Sequence, residues 1–238
     1  MLDLLIRNGL IIDGTGNPGY YGDVGVVDTR VRIIRSDTSK TEAKRVIDAA
    51  GHIISPGFID MHAHSGLVIL SEPRHEPKVL QGVTTELIGV DGNSYAPFRS
   101  QEDFLRFVEL NSGLDGNPPL PGRWSTVEQY LNMFDQKVAV NIAYILGNSP
   151  LRIDAIGWNS RPATKQDINN MKGVLREAME EGAFGISTGL DYPPGNYAST
   201  NELIELSKQA ASLGGIYHTH VRYRLGDRFL DPFKEALE

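Results

Sequence analysis

Cysteine is absent from the 238-residue chain. No disulfide framework, zinc–thiolate site or thiol nucleophile is therefore available, which fits a cytoplasmic protein. Basic clusters are also missing, and the net charge is −7. Nucleic acid and an anionic membrane surface are excluded as expected partners. Apolar runs stop far short of the roughly 18 residues of a membrane helix. The N-terminus, Met1-Leu2-Asp3-Leu4-Leu5-Ile6-Arg7, has an acid near its start and lacks the charged-then-apolar layout of a secretory leader. Internal repeats and low-complexity segments are missing too. What remains is 40% hydrophobic and 22% charged, an ordinary globular balance with enough length for one large core or two smaller ones.

Histidine is sparse but not scattered. Four of the six histidines fall in two pairs, His62-Ala63-His64 and His218-Thr219-His220. Each pair ends an apolar run, Ser55-Pro56-Gly57-Phe58-Ile59-Asp60-Met61 in the first case and Gly215-Ile216-Tyr217 in the second. Side chains two apart on a strand share a face. Each pair therefore presents two imidazoles on one side, the spacing that two nitrogen ligands of a divalent metal require.

The chain reads as two regions. Residues 1–55 carry short strands and turn clusters such as Asp13-Gly14-Thr15-Gly16-Asn17-Pro18-Gly19, which predicts a small antiparallel β domain. Gly14-Thr15-Gly16 precedes no helix and is a poor phosphate loop. Residues 56–238 alternate strand and helix. Helices are expected over 72–81, over 125–135 capped by Ser125 with Glu128 completing a capping box, over 164–181 capped by Thr164, and over 200–213 capped by Thr200. This alternation predicts an α/β fold, a partial (β/α)8 TIM-type barrel of about five β/α units after the small β domain. The long connection from Asp91 to Ser125, rich in glycine and proline, is expected to cover a substrate.

Polar residues gather just past the strand ends, where such barrels place their sites. His62, His64, Asp91 and His220 are the metal-ligand candidates. Asp60 and His218 lie on the same faces but deeper, where a carboxylate can orient an imidazole. Tyr192, in Gly189-Leu190-Asp191-Tyr192-Pro193-Pro194-Gly195, and Arg222 are candidates for substrate binding, Arg222 for a carboxylate. The plain alternatives are a turn at Asp91, a surface salt bridge at Arg222 and hydrogen-bonded structural histidines. The strand 183–188 contains no lysine, so a bridge between two metals must come from elsewhere, with Asp91 the natural choice.

These residues resemble the amidohydrolase superfamily, and within it the N-acyl-D-amino-acid deacylases. Leu5-Ile6-Arg7-Asn8-Gly9, the Ser55–His64 segment and Gly82-Val83-Thr84-Thr85-Glu86 carry the broad pattern. The segments Gly182–Thr200 and Gly214–Arg222 carry the narrower one. The resemblance implies a zinc enzyme, with one or two Zn2+ ions, that hydrolyses the amide of a small N-acyl-D-amino acid to a carboxylate and a D-amino acid. It implies His62 and His64 as ligands from the first barrel strand and His220 as the ligand from the fifth. Asp91 stands where many members carry a cysteine ligand, a substitution that bears on the choice of metal, and Asn148 where many carry a histidine. A further histidine ligand and an aspartate general base are expected beyond Glu238, with the rest of a β-sandwich that residues 1–55 begin. On that expectation the chain is truncated and inactive by itself. Another amidohydrolase, acting on a cyclic amide or a dipeptide, is the alternative enzyme. An oligomer is compatible with all of these readings.

Overall fold

Leucine- and β-branched runs between Gly, Asn and Asp turns favour strands in the first region. In the computed structural model, which describes residues 1–223 and 226–238, this region is one unit, Met1–Gly57, and Phe58–Glu238 is a second. Strands β1 (Leu2–Ile11), β2 (Tyr20–Val27) and β3 (Arg30–Ile34) form an antiparallel meander. Strands β4 (Ala43–Asp48) and β5 (Ile53–Ile54) both run parallel to β1, giving the order β3-β2-β1-β4 with β5 also on β1. The expected antiparallel unit is therefore corrected to a mixed sheet. The reason is topological. The β1–β2 hairpin occupies one edge of β1, and residues 35–42 carry the chain back to the start of its other edge, where β4 must run in the same sense. Leu5, Ile11, Val24 and Ala49 are buried in this unit.

The second unit is built on parallel strands. β6 (Phe58–Ala63), β7 (Val83–Ile88) and β8 (Asn141–Tyr144) pair in that order. β9 (Leu146–Gly147), β10 (Gly185–Gly189) and β11 (Ile216–His220) form a second parallel set. Only Ile145 separates β8 from β9, and its amide donates to the Ile88 carbonyl at 3.0 Å. One interrupted strand therefore joins both sets, and the Phe184 amide donates to the Tyr144 carbonyl across the join.

Helices fill the crossovers. The helix expected over 72–81 is reduced to the single turn α2 (Glu76–Val79), and another short piece, α1 (Val68–Ser71), precedes that range. Pro73 cannot donate, and His75 takes the left-handed conformation at φ 44°, so no continuous helix forms. α3 (Gln101–Leu110) is capped by Ser100 and runs into α4 (Ser112–Asp115). α5 is shorter than expected, Val127–Leu131, and its cap is Thr126 rather than Ser125. The Ser125 amide and hydroxyl bond instead to the Gln129 side chain. α6 spans Asn148–Ile156. α7 (Lys165–Glu180) has a full capping box between Thr164 and Asp167 and buries Ile168, Met171, Val174, Leu175 and Ala178 on one face. Fully burying a side chain of that larger size contributes about 1.5–3 kcal/mol. α8 (Thr200–Ser212) starts one residue earlier than expected, with the Ser199 hydroxyl accepting from the Glu202 amide. α9 is Asp231–Leu237. Among the described residues, no helix is long and apolar enough to cross a membrane.

The connection between β7 and α5, expected to cover a substrate, is itself well packed. Tyr95, Phe98, Phe104, Phe107 and Trp124 lie in the main core with Tyr130 and Tyr144. Neighbouring rings meet edge-on or tilted at 4.9–6.4 Å. The aromatic content of this stretch, rather than its glycine and proline, decides its burial.

Candidate metal centre

All the candidate ligands fall at carboxyl ends of the parallel strands. His62 lies in β6 and His64 just past it; Asp91 follows β7, and His220 ends β11. The Nε2 atoms of His62 and His64 lie 3.1 and 3.3 Å from Asp91 Oδ2, and His220 Nδ1 lies 3.7 Å from the same oxygen. One ligand atom each from His62, His64 and Asp91 falls within 4.8 Å of the others. Ligand atoms held tetrahedrally about 2.0–2.1 Å from zinc stand roughly 3.3 Å apart. The two shorter separations match that figure. Asp91 Oδ1 is buried and has no hydrogen-bond partner, an orphaned acceptor beside the cluster. On this geometry the donor set fits a divalent metal.

Asp91 is held in a left-handed, well-defined place. Its φ is 55°, and its backbone carbonyl accepts from the Tyr192 hydroxyl at 2.5 Å. The next amide, that of Gly92, donates to Ser187 Oγ at 3.1 Å. A Cβ at Gly92 would run into Asn148 Oδ1 and the Gly189 amide, and one at Gly189 into the Asp91 carbonyl. The strand ends therefore approach so closely that only glycine fits at these two positions. Burial opposes ionisation of Asp91, but the hydrogen bond from His64 and the neighbouring His62 outweigh it and hold the carboxyl below its usual range.

His64 sits between two carboxylates. Its Nδ1 is 2.7 Å from Asp115 Oδ1, and its Nε2 faces Asp91. The Asp115 hydrogen bond first, then that of Asp91, push its pKa up to about 9 against burial. His62 is about half exposed and packs its ring 5.1 Å from His218 and 5.3 Å from His64. His218 Nδ1 is buried without a partner, and burial followed by the nearby His62 pulls its pKa down. A neutral imidazole thus flanks the cluster from the deeper layer.

Three of the candidate residues have other partners in the structure. Asp60 does not orient an imidazole: it accepts from the His62 amide at 2.9 Å and pairs with Lys78, which also faces buried Glu86 at 3.4 Å. The imidazole partner is Asp115 instead. Tyr192 uses its hydroxyl proton on the Asp91 backbone, while its ring stands 5.9 Å from His220. Arg222 is not a free carboxylate receptor. Its guanidinium donates to Glu235 Oε2 at 2.8 Å and to the carbonyls of Asn196 and Ala198. Asn148 is fully buried and ties two neighbouring segments, donating to the Gly195 carbonyl at 3.1 Å and accepting from the Gly189 amide at 3.2 Å.

Asp115 and Tyr95 escaped sequence reasoning. Asp115 lies in Gly113-Leu114-Asp115-Gly116, which has turn composition, 51 residues from His64. No spacing pattern links them.

The Amidohydrolase family profile matches residues 45–217. The chain belongs to that family. It is similar to a D-aminoacylase of Alcaligenes xylosoxydans xylosoxydans, with 36% identity over 230 residues, 92% of this chain and 44% of the relative. A crystal structure of D-aminoacylase superposes with a TM-score of 0.82 at 36% identity, covering 99% of this chain and 48% of that one. An N-acyl-D-glutamate deacylase from Bordetella bronchiseptica, solved with zinc and a phosphonate mimic of the tetrahedral intermediate, gives 0.84 at 32% identity with the same coverage. The chain spans slightly under half the length of these relatives.

Proposed function

We propose that this chain carries the metal-binding part of a zinc-dependent deacylase that hydrolyses N-acyl-D-amino acids to a carboxylate and a free D-amino acid. The observation that carries the reading is the convergence of His62, His64 and His220 nitrogens on one oxygen of Asp91. Similarity to D-aminoacylase and to the zinc-containing N-acyl-D-glutamate deacylase supports the substrate class. On this reading the second unit is the opening of a (β/α)8 barrel, with five β/α units, and residues 1–55 belong to a small β-sandwich domain.

His62, His64, Asp91 and His220 would hold the metal. When bound, zinc supplies Lewis-acid polarisation of an acyl carbonyl and activation of water. The chain's own residues do the positioning. The Tyr192 hydroxyl and the close-packed strand ends fix Asp91. His218 keeps an uncharged ring against His62. Asp191 lies 3.9 Å from His220 Nε2, at the exposed side of the cluster.

The test is release of free amino acid from N-acetyl-D- and N-acetyl-L-amino acids, with a cyclic amide and a dipeptide as comparators. The assay uses zinc-loaded protein, both residues 1–238 and, where the natural gene product is longer, that full product. The D substrates are expected to be turned over by the full product, and residues 1–238 to bind zinc without turnover. Failure of the full product on every acyl amino acid would exclude the deacylase. Turnover of the cyclic amide or the dipeptide instead would favour the alternative enzyme.

A further inference from the structure

One imidazole of the centre has a built support, and its neighbour lacks a comparable one. Asp115, 2% exposed, places Oδ1 2.7 Å from His64 Nδ1. Its other oxygen, Oδ2, accepts from the Tyr95 hydroxyl at 2.5 Å. Tyr95 is 3% exposed, so the pair is sealed from water. Its ring lies 5.8 Å from Phe107 and 6.4 Å from Phe104, and its carbonyl accepts from the Trp124 indole at 2.6 Å. The Asp115 amide donates to the Asn111 carbonyl at the end of α3, which fixes the carboxylate from its backbone side. A continuous set of packed and hydrogen-bonded groups therefore runs from the aromatic core to His64.

We propose that Asp115, braced by Tyr95, is a positioning residue of the metal centre. It holds the His64 ring with a proton on Nδ1, so that Nε2, once it gives up the proton it shares with Asp91, would present its lone pair to an ion. The inference rests on the metal-centre reading above. A carboxylate offers no proton to a neutral imidazole, so its hydrogen bond selects the tautomer as well as the ring angle. Tyr95 in turn leaves Asp115 one strong acceptor direction, toward His64. His62 is about half exposed, and among the described residues its ring meets His64, His218 and the Asp91 carboxylate it shares with His64, with no separate buried carboxylate behind it comparable to Asp115.

The test is titration of residues 1–238 with cobalt(II), read by ligand-field absorption, beside circular dichroism and melting of the metal-free protein. Asp115→Asn, which keeps the shape but lets an amide N–H face the ring, is expected to weaken cobalt binding about 10- to 100-fold. The absorption band is expected to change shape while the secondary structure is kept. Tyr95→Phe keeps the packed ring and removes one hydrogen bond, and a smaller loss of about 2- to 10-fold is expected. Tyr95→Phe also serves as the deciding variant if Asp115→Asn does not fold. Wild-type affinity and band shape in Asp115→Asn, or in Tyr95→Phe where that is the deciding variant, would overturn the proposal and leave the metal centre standing. No cobalt uptake by the wild-type chain would overturn the metal centre itself, and this proposal with it.

Discussion

Asp91 shows how much one residue can require of its neighbours. Its left-handed backbone costs little for an aspartate, but its carbonyl must be held and its flanks must stay small. Tyr192 provides the first, and Gly92 and Gly189 the second. Gly92→Ala, at φ +71° and against Asn148 and the Gly189 amide, is expected to lower stability by more than about 1 kcal/mol. Urea denaturation of metal-free protein reads this directly. Asp91→Ala removes the oxygen on which three imidazoles converge. Zinc affinity in a competitive chelator titration is expected to fall by more than the about 10- to 100-fold typical of losing an outer partner of a ligand. Residue identity marked this position as polar and at a strand end; only the surrounding contacts show it to be the centre of the cluster.

At the scale of elements, α7 has the most completely specified start in the chain. Thr164 accepts from the Asp167 amide, Asp167 accepts from the Thr164 amide and hydroxyl, and Arg161 pairs with the same carboxylate at 2.6 Å. Arg161 and the two Thr164 donors hold the Asp167 carboxyl well below its usual range. Its folded pKa is thus lower than its unfolded one, near 3.9. The stabilisation is therefore present above about pH 4 and is lost as pH falls below it. Asp167→Ala is expected to cost about 1 kcal/mol near neutrality, mostly from the lost cap, since an exposed ion pair adds little. Urea denaturation of both proteins across pH 3–7 is expected to show that difference shrinking once the pH drops below about 4. Capping was readable here because Thr and Asp sit three apart before an apolar stripe. It was misplaced by one residue at α5 and α8, where adjacent Ser and Thr compete for the same cap and only the path of the entering chain selects between them.

At the scale of the second unit, α6 and α8 are joined by a buried ion pair. Arg152 Nη1 donates to Glu202 Oε2 at 2.5 Å, and Nη2 donates to the Arg161 carbonyl at 3.0 Å. Both side chains are essentially inaccessible to solvent. Burial pushes the Glu202 carboxyl up while Arg152 pulls it down, with burial prevailing. Such a pair fixes register more than it adds stability, and breaking it leaves a charge unpaired. Arg152→Ala is expected to destabilise by about 3–5 kcal/mol, and the double change Arg152→Met with Glu202→Leu to cost much less. Denaturation midpoints of the single and double variants check this. A double variant as unstable as the single one would show that the pair itself, rather than relief of an unpaired charge, holds the two helices.

The sequence by itself determined the alternation of strand and helix after residue 57 and the sites of the four imidazoles. A period of two fixes which face of a strand a side chain takes, and a run of apolar residues fixes where the strand ends. That is enough to bring His62, His64 and His220 toward one end of a parallel sheet. Tertiary structure alone decided what those side chains touch. Arg222 had the right chemistry for a substrate carboxylate, yet Glu235 and two carbonyls reach it first. Asp60 shared the histidine face, yet Lys78 takes its charge. β4 lies parallel to β1 because of which edge remained free. Asp115 reaches His64 because an aromatic core folds an irregular segment back across the strand ends. Local pattern carries orientation, while pairing between distant residues follows from the packing of everything in between.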